Sequence, residues 1–363
     1  MRMWKRSVLA LIVAVACWIP ASGWAQTGTD VTDATEETDT ADEETDKDKN
    51  WTVGGSIVSR VGQGTFVGLE NESGIQGEYQ SNSTAYDRAN LIYTLSPSYT
   101  IGEFNVGAEF SLVQWLTAGG GTSGIAAAGG ANDPADVYFQ DILLSGGWQG
   151  YTFDSIGLTL APALEIGLPT SKSSQLNTKL FHVGTDLSIM KTFFERLTLQ
   201  GAISFAKYFH RYESSAIDPA DVGEDNVLFR PGEAEDFKSG LVGLGGYNLS
   251  HLLAVGGATE IKIWKKLSGS ISYFMINYYS YPGNSKDEFT AENAKPGRNL
   301  SQAVSTSASL SYGIKDWLSV SGGIGTFMSP KTSDNESFRF PFWNTDGASA
   351  NRSWLQLGVS GSY

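Results

Sequence analysis

From Trp51 to Tyr363 the chain repeats stretches in which apolar and small polar side chains alternate, and the connections between those stretches alternate as well. Residues 302 to 314 are the cleanest case. Val304, Thr306, Ala308, Leu310, Tyr312 and Ile314 fall on one face of an extended chain, and Ala303, Ser305, Ser307, Ser309 and Ser311 on the other. A face of serines cannot be a hydrophobic core, so the apolar face is the one kept from water. In ANLIYTLSPSYTI (89 to 101) only Ile92 interrupts the polar side, and EFNVGAEFSLVQWL (103 to 116) repeats the pattern after a tight turn.

Twelve segments carry this period: 51–62, 89–101, 103–117, 136–149, 156–169, 179–193, 197–211, 247–263, 267–281, 302–314, 317–328 and 352–363. Connections after the even-numbered segments are short, and those after the odd-numbered ones are mostly long. An even strand count with short turns at one end and long loops at the other predicts an all-β, transmembrane antiparallel β-barrel of about twelve strands, both termini periplasmic. A sandwich does not sort its connections by parity. Alternation is poor in the first and fourth segments, so ten or fourteen strands are the alternative counts. Trp264, Tyr312 and Trp317 near short turns, and Tyr208, Tyr212, Tyr278, Tyr279 and Tyr281 near long loops, read as interfacial girdles.

The front of the chain agrees with an outer-membrane destination. Residues 1–25 have a basic start (Arg2, Lys5, Arg6), an apolar run and a small-residue cleavage site, the order of a secretory signal peptide. Residues 26–50 hold ten acids, two lysines and no aromatic, a composition expected to stay a disordered periplasmic tail. Residues 51–363 form the barrel domain. Cys17, the one cysteine, lies in the leader, so a large core or a closed sheet rather than disulfides must hold the mature chain. Residues 51–363 carry a formal charge of −9, which argues against a nucleic-acid partner. The uncharged runs 110–132 and 241–259 are too rich in Gly, Thr and Ala for membrane helices.

Twelve strands enclose more interior than side chains of an eight-stranded barrel fill, and less than an open sixteen-stranded porin. The inward parity is rich in Ser, Gly, Thr and Ala, with ionisable lumen candidates at Arg60, Glu109, Asp141, Glu165, His182, Asp186, Glu260 and Lys262. Charge inside a barrel is either functional or a brace between opposite charges, since charge facing lipid is costly. The three histidines form no hydrolase arrangement, and parity sends Ser250 and His251 to opposite faces. An enzyme is therefore not expected, and neither a metal site nor a cofactor motif is found. The acidic stretch 212–240 could hold divalent cations that bridge lipopolysaccharide. FRFPFW (338–343) is unusually aromatic for a loop; Phe338, Arg339, Phe340, Phe342 and Trp343 are candidates for a constriction folded into the lumen. The expected role is passive passage of small solutes, with a structural or adhesive surface barrel as the alternative and an outer-membrane hydrolase behind both.

The terminal strand RSWLQLGVSGSY, with Leu355, Leu357, Val359 and Tyr363 on one face, resembles the assembly signal of Gram-negative outer-membrane β-barrel proteins. That resemblance implies insertion by the barrel-assembly machinery into a membrane of lipid and lipopolysaccharide. LSPSYTIG (95–102) and IGLPTSK (166–172) resemble runs in outer-membrane transporters linked to aromatic-compound (phenol) degradation, and this implies uptake of small hydrophobic or aromatic solutes.

Overall fold

The computed structural model describes residues 50–62, 89–116, 137–217, 242–281, 299–331, 337–342 and 353–363. The leader, the acidic tail up to residue 49, most of the 212–240 stretch and Trp343 lie outside the described residues. In chain order the strands are β1 (Trp51–Gly62), β2 (Ala89–Ile101), β3 (Phe104–Trp115), β4 (Val137–Phe139), β5 (Ile142–Trp148), β6 (Tyr151–Phe153), β7 (Leu158–Leu168) and β8 (Lys179–Phe193). They continue as β9 (Leu197–His210), β10 (Ser214–Ile217), β11 (Val242–Tyr247), β12 (Leu249–Trp264), β13 (Leu267–Ser280), β14 (Leu300–Lys315), β15 (Leu318–Met328) and β16 (Ser353–Ser362). A five-residue helix, Lys172–Leu176, joins β7 to β8.

Twelve staves form the wall, because β4 and β5 are two pieces of one stave and β6 only extends the pairing of β7. Every stave is antiparallel to both neighbours, and β1 closes the circle by pairing with β2 on one side and β16 on the other. The closing seam runs to the last residue: Val53 and Tyr363 exchange both backbone hydrogen bonds, at 2.9 and 3.0 Å. A sheet closed this way has no unpaired edge, which is what a backbone needs in hydrocarbon. Beyond the wall, β10 and β11 pair as an arm that prolongs β9 and β12.

Large apolar side chains stand exposed on the outer face. Leu310, Tyr312 and Ile314 on β14 are joined by Leu164, Ile166, Ile203, Phe205, Ile261, Ile263, Leu355, Leu357 and Val359 round the barrel. In water such a surface would be a liability; it is the lipid-facing band of a membrane barrel. Trp51, Trp264, Trp317, Phe104, Tyr151 and Tyr363 ring the short-turn end. At the other end Phe181 stacks on Phe209 (4.6 Å) and His251 on Tyr279 (4.4 Å). Tyr208 and Tyr278 are not part of that ring: both take the inward parity, and Tyr208 is buried.

The poor alternation of the fourth segment has a structural cause. The ladder breaks at Gln140 and Asp141, between β4 and β5, and Asp141 is turned to side-chain work. On the short-turn side, Gly102 adopts φ +60° in the two-residue link from β2 to β3, a conformation that costs glycine nothing.

Candidate functional site in the barrel interior

The inner surface divides by height. Towards the short turns it is lined by Ser96, Ser98, Gly107, Ser145, Ser270, Ser309, Ser311, Ser321 and Ser360, half-buried and small. Facing hydroxyls pair across the strands: Ser270 with Ser309 (2.8 Å), Ser272 with Ser307 (2.7 Å) and Ser319 with Ser360 (2.8 Å). Such pairs satisfy one another across the strands with small side chains. Towards the long loops the inner residues are larger and closed to water, with Arg60, Asn90, Ile92, Glu165, His182, Tyr208, Leu252, Ile276 and Trp354 all buried.

That upper half is itself two-sided. On β9, β12 and β13 a cluster of Ala206, Tyr208, Leu252, Ala254 and Ile276 is backed by Leu249, Tyr278 and Phe327. A smaller patch of Val58, Ile92 and Val113 lies on β1 to β3. Between them, Arg60 holds its guanidinium 5.0 Å from the centre of the Trp354 ring.

The wall beside the larger cluster, on the β4–β5 break, β7 and β8, is ionic. Asp141 accepts hydrogen bonds from Lys179 Nζ (2.7 Å), the Ser171 backbone N–H (2.9 Å) and Ser174 Oγ (2.5 Å). Those two serines belong to the capped start of the short helix, so the β7–β8 connection is tied down onto the wall. Glu165 Oε1 and His182 Nε2 are hydrogen-bonded at 3.0 Å, and the His182 ring stacks on Tyr208, centroids 4.9 Å apart. The ring lies directly over Gly167, where an added Cβ would come within 1.8 Å of it. Ser204 donates to Asp186, and Lys179 Nζ lies 5.1 Å from the Tyr208 ring centre. Tyr208 thus touches both the ionic and the apolar side.

All eight ionisable lumen candidates take the inward parity, but they do not form one group. Asp141, Glu165, His182 and Asp186 share the ionic side. Arg60 sits across the interior against Trp354, Glu109 accepts from Ser111 Oγ (3.2 Å), and Glu260 and Lys262 lie low on β12. Counting parity misses Lys179. A register shift between Lys179 and Phe181 turns its side chain inward, where strict alternation puts it among the lipid-facing residues. A second shift, between Leu249 and His251, corrects the expectation that Ser250 and His251 point apart. Their side chains meet, Nδ1 to Oγ at 3.3 Å, with Lys207 Nζ 2.6 Å from the same hydroxyl.

The aromatic loop expected inside the lumen is on the outside. Thr306 on β14, Thr326 on β15 and Ser353 on β16 are paired neighbours in one row of the lipid-facing parity, and all three are buried. Thr306 donates to the Pro341 carbonyl, while Thr326 (2.6 Å) and Ser353 (3.0 Å) donate to the Phe342 carbonyl. Residues 337–342 therefore form a strap on the outer wall, held at Thr306, Thr326 and Ser353. Polar groups on an otherwise apolar face need partners, and the strap's carbonyls supply them. Phe338 and Phe340 point away from the wall, 79 % and 67 % exposed. Trp343 lies outside the described residues.

A closed twelve-stave wall with an apolar outside and a polar seam inside defines a transmembrane β-barrel of the bacterial outer membrane. No family model matches the chain, and no curated protein does. Among solved structures it is similar to the NanC porin (8% identity, 86% of this chain and 98% of that one, TM-score 0.41). It is similar also to the KdgM porin (9% identity, 85% and 99%, TM-score 0.38) and to a Pseudomonas aeruginosa FadL homologue (10% identity, 86% and 89%, TM-score 0.35). Likeness at that level is a shared course of chain round a barrel, and no residue role is taken from it.

Proposed function

We propose that this barrel is a passive channel or transporter for small solutes, and that the solutes are compact and partly apolar. The observation that carries the reading is the contrast of heights inside the wall. A half lined by small hydroxyl side chains lies beneath a half filled by larger buried ones, one side apolar and the other ionic. Small pockets that are mostly apolar, with a few convergent polar groups, are what small-molecule sites look like. The same reading takes residues 1–25 as a cleaved leader, leaves 26–50 and both mature termini in the periplasm, and has solute enter past the long loops.

Refolded protein in a planar bilayer tests it. Stepwise conductance is expected, with a small unit step because the upper half is narrow. Absence of steps at any voltage, together with unchanged swelling of vesicles loaded with the barrel, overturns the proposal. Migration that changes on heating, the mark of a folded barrel on gels, ensures that the measured species is closed.

A further inference from the structure

The lipid-facing parity of β8, β9, β12, β13 and β14 holds no carboxylate among the described residues, but it holds two lysines. Lys191 is at the short-turn end of β8, 4.8 Å from the centre of the Phe193 ring. Lys207 is at the long-loop end of β9, between Phe205 and Phe209, both exposed. Its row runs Val183, Lys207, His251, Tyr279 and Leu300 across the five staves. The His251–Tyr279 stack lies in that row, and the Phe181–Phe209 stack in the next row of the same face. Aromatic belts of this kind sit at the level of lipid headgroups, so Lys207 stands at that level too.

Charge on a lipid-facing wall is costly unless something answers it. A lysine near an interface ordinarily reaches out along its stem into water. Lys207 is instead half-buried and held against the wall: Nζ donates to Ser250 Oγ (2.6 Å) and rests 4.6 Å from the centre of the Tyr281 ring. Ser250, 7% exposed, stands at the register shift between Leu249 and His251, and that bulge brings its hydroxyl to the outer side. His251 Nδ1 lies 3.3 Å from the same oxygen. Both imidazole tautomers leave the group with a donor to spare. Where Nδ1 carries the hydrogen it donates to Oγ, and the serine hydrogen is left over; where Nδ1 is bare the serine donates to it, and Nε2–H is left over. Lys207, Ser250 and His251 therefore offer a fixed ammonium and one further donor, with no negative charge beside them. One row towards the short turns, Gln302 Nε2 donates to Asn277 Oδ1 at 2.8 Å, continuing the polar patch into the apolar face.

We infer that Lys207, Ser250 and His251 form a binding site on the outer wall for the phosphate of an anionic membrane lipid. The phosphate oxygens take the ammonium and the spare donor as charge-assisted hydrogen bonds. The lipid's chains lie along Phe205 and Phe209, which a free anion leaves uncovered. The site is on the opposite side of the wall from any solute path, so it stands or falls independently of conductance.

Native mass spectrometry of the full, refolded chain in neutral detergent tests it, with dioleoylphosphatidic acid, dioleoylphosphatidylcholine and inorganic phosphate as probes. Phosphatidic acid should be retained at least about tenfold more tightly than phosphatidylcholine, whose choline answers its own phosphate, and inorganic phosphate should not bind at concentrations that saturate the lipid. Lys207→Met should erase the preference; methionine suits a lipid-facing position, and heat-modifiable migration verifies that the variant is a closed barrel. Lys207→Arg should keep most of the preference, Ser250→Ala should weaken it several-fold, and Lys191→Met, at the other end of the wall, should leave it unchanged. Equal retention of the two lipids overturns the site, as does a full preference in folded Lys207→Met. A preference lost equally in Lys191→Met reveals only diffuse attraction between charges and overturns it too. Inorganic phosphate that binds as tightly as phosphatidic acid replaces the lipid site with a site for soluble anions.

Discussion

The two halves of the interior are made of the same staves, yet they solve different problems. Near the short turns, small serines and glycines face one another across strands, most of them half-buried. Near the long loops, the wall carries Arg60, Glu165, His182, Tyr208, Leu252 and Trp354, all buried. A strand of fixed pitch can thus present small side chains at one end and large ones at the other, so side-chain size changes along the interior while strand count does not. The difference also separates two kinds of energetics. Serine pairs contribute little individually and tolerate change, whereas the ionic side of the upper half is an interlocked set in which each loss strands a neighbour.

The sharpest way to break this comparison is Lys179→Met. It leaves Asp141 buried without its cation, so a loss of roughly 3–5 kcal/mol is expected. Ser309→Ala in the lower half should stay within about 0.5 kcal/mol of the parent, since nothing large packs there. Urea midpoints for folding into vesicles, read by the heat-modifiable gel band, measure both. If the two variants lose equally, the halves are not energetically distinct.

Gly167→Ala comes next. The new methyl collides with the His182 ring and must push it off Tyr208, an overpacking cost of about 1–3 kcal/mol. The same midpoint measures it, and pairing it with His182→Ala should return most of the loss. Conductance then compares the halves as bores. Trp354→Ala, above, should raise the unit step and release Arg60 from its ring, while Ser309→Trp, below, should lower it. An unchanged step in Trp354→Ala places the narrowest point elsewhere.

Most of the wall was legible from the sequence because a lipid-facing strand cannot hide its period: every second residue from Leu310 to Ile314, or from Leu355 to Val359, has to be apolar. The closed circuit and the twelve staves follow from that and from the sorted connections. What alternation could not reveal are the places where the chain leaves the period. Lys179 and Ser250 lie beside register shifts, so counting by twos assigns each to the wrong face. Tyr208 reads as a girdle residue because its position near a strand end is right and only its side is wrong. One signal was available for the ionic side: IGLPT contains Gly167, opposite His182 in the register, and a glycine facing a ring is often the space that the ring needs.

The strap gives the smallest expected effect and the cleanest separation of outside from inside. A constriction loop and an outer strap make opposite demands on one residue. Phe340 in the lumen would narrow the passage, so Phe340→Ala would enlarge the conductance step. Phe340 on the outer wall, two-thirds exposed, touches no solute path, so the step should not change. Thr326→Val instead removes the hydroxyl that bonds both the Phe342 carbonyl and Ser353, and should cost about 0.5–1.5 kcal/mol, again without altering conductance. Thr306→Val should behave alike through the Pro341 carbonyl. The pair of readouts decides the matter: stability that falls with an unchanged step belongs to a strap, and a step that grows in Phe340→Ala returns the loop to the lumen. Thr306 is the one aliphatic hydroxyl amid Val304, Ala308, Leu310, Tyr312 and Ile314 on the lipid side, and a buried polar group there needs a partner, which the returning backbone at Pro341 supplies.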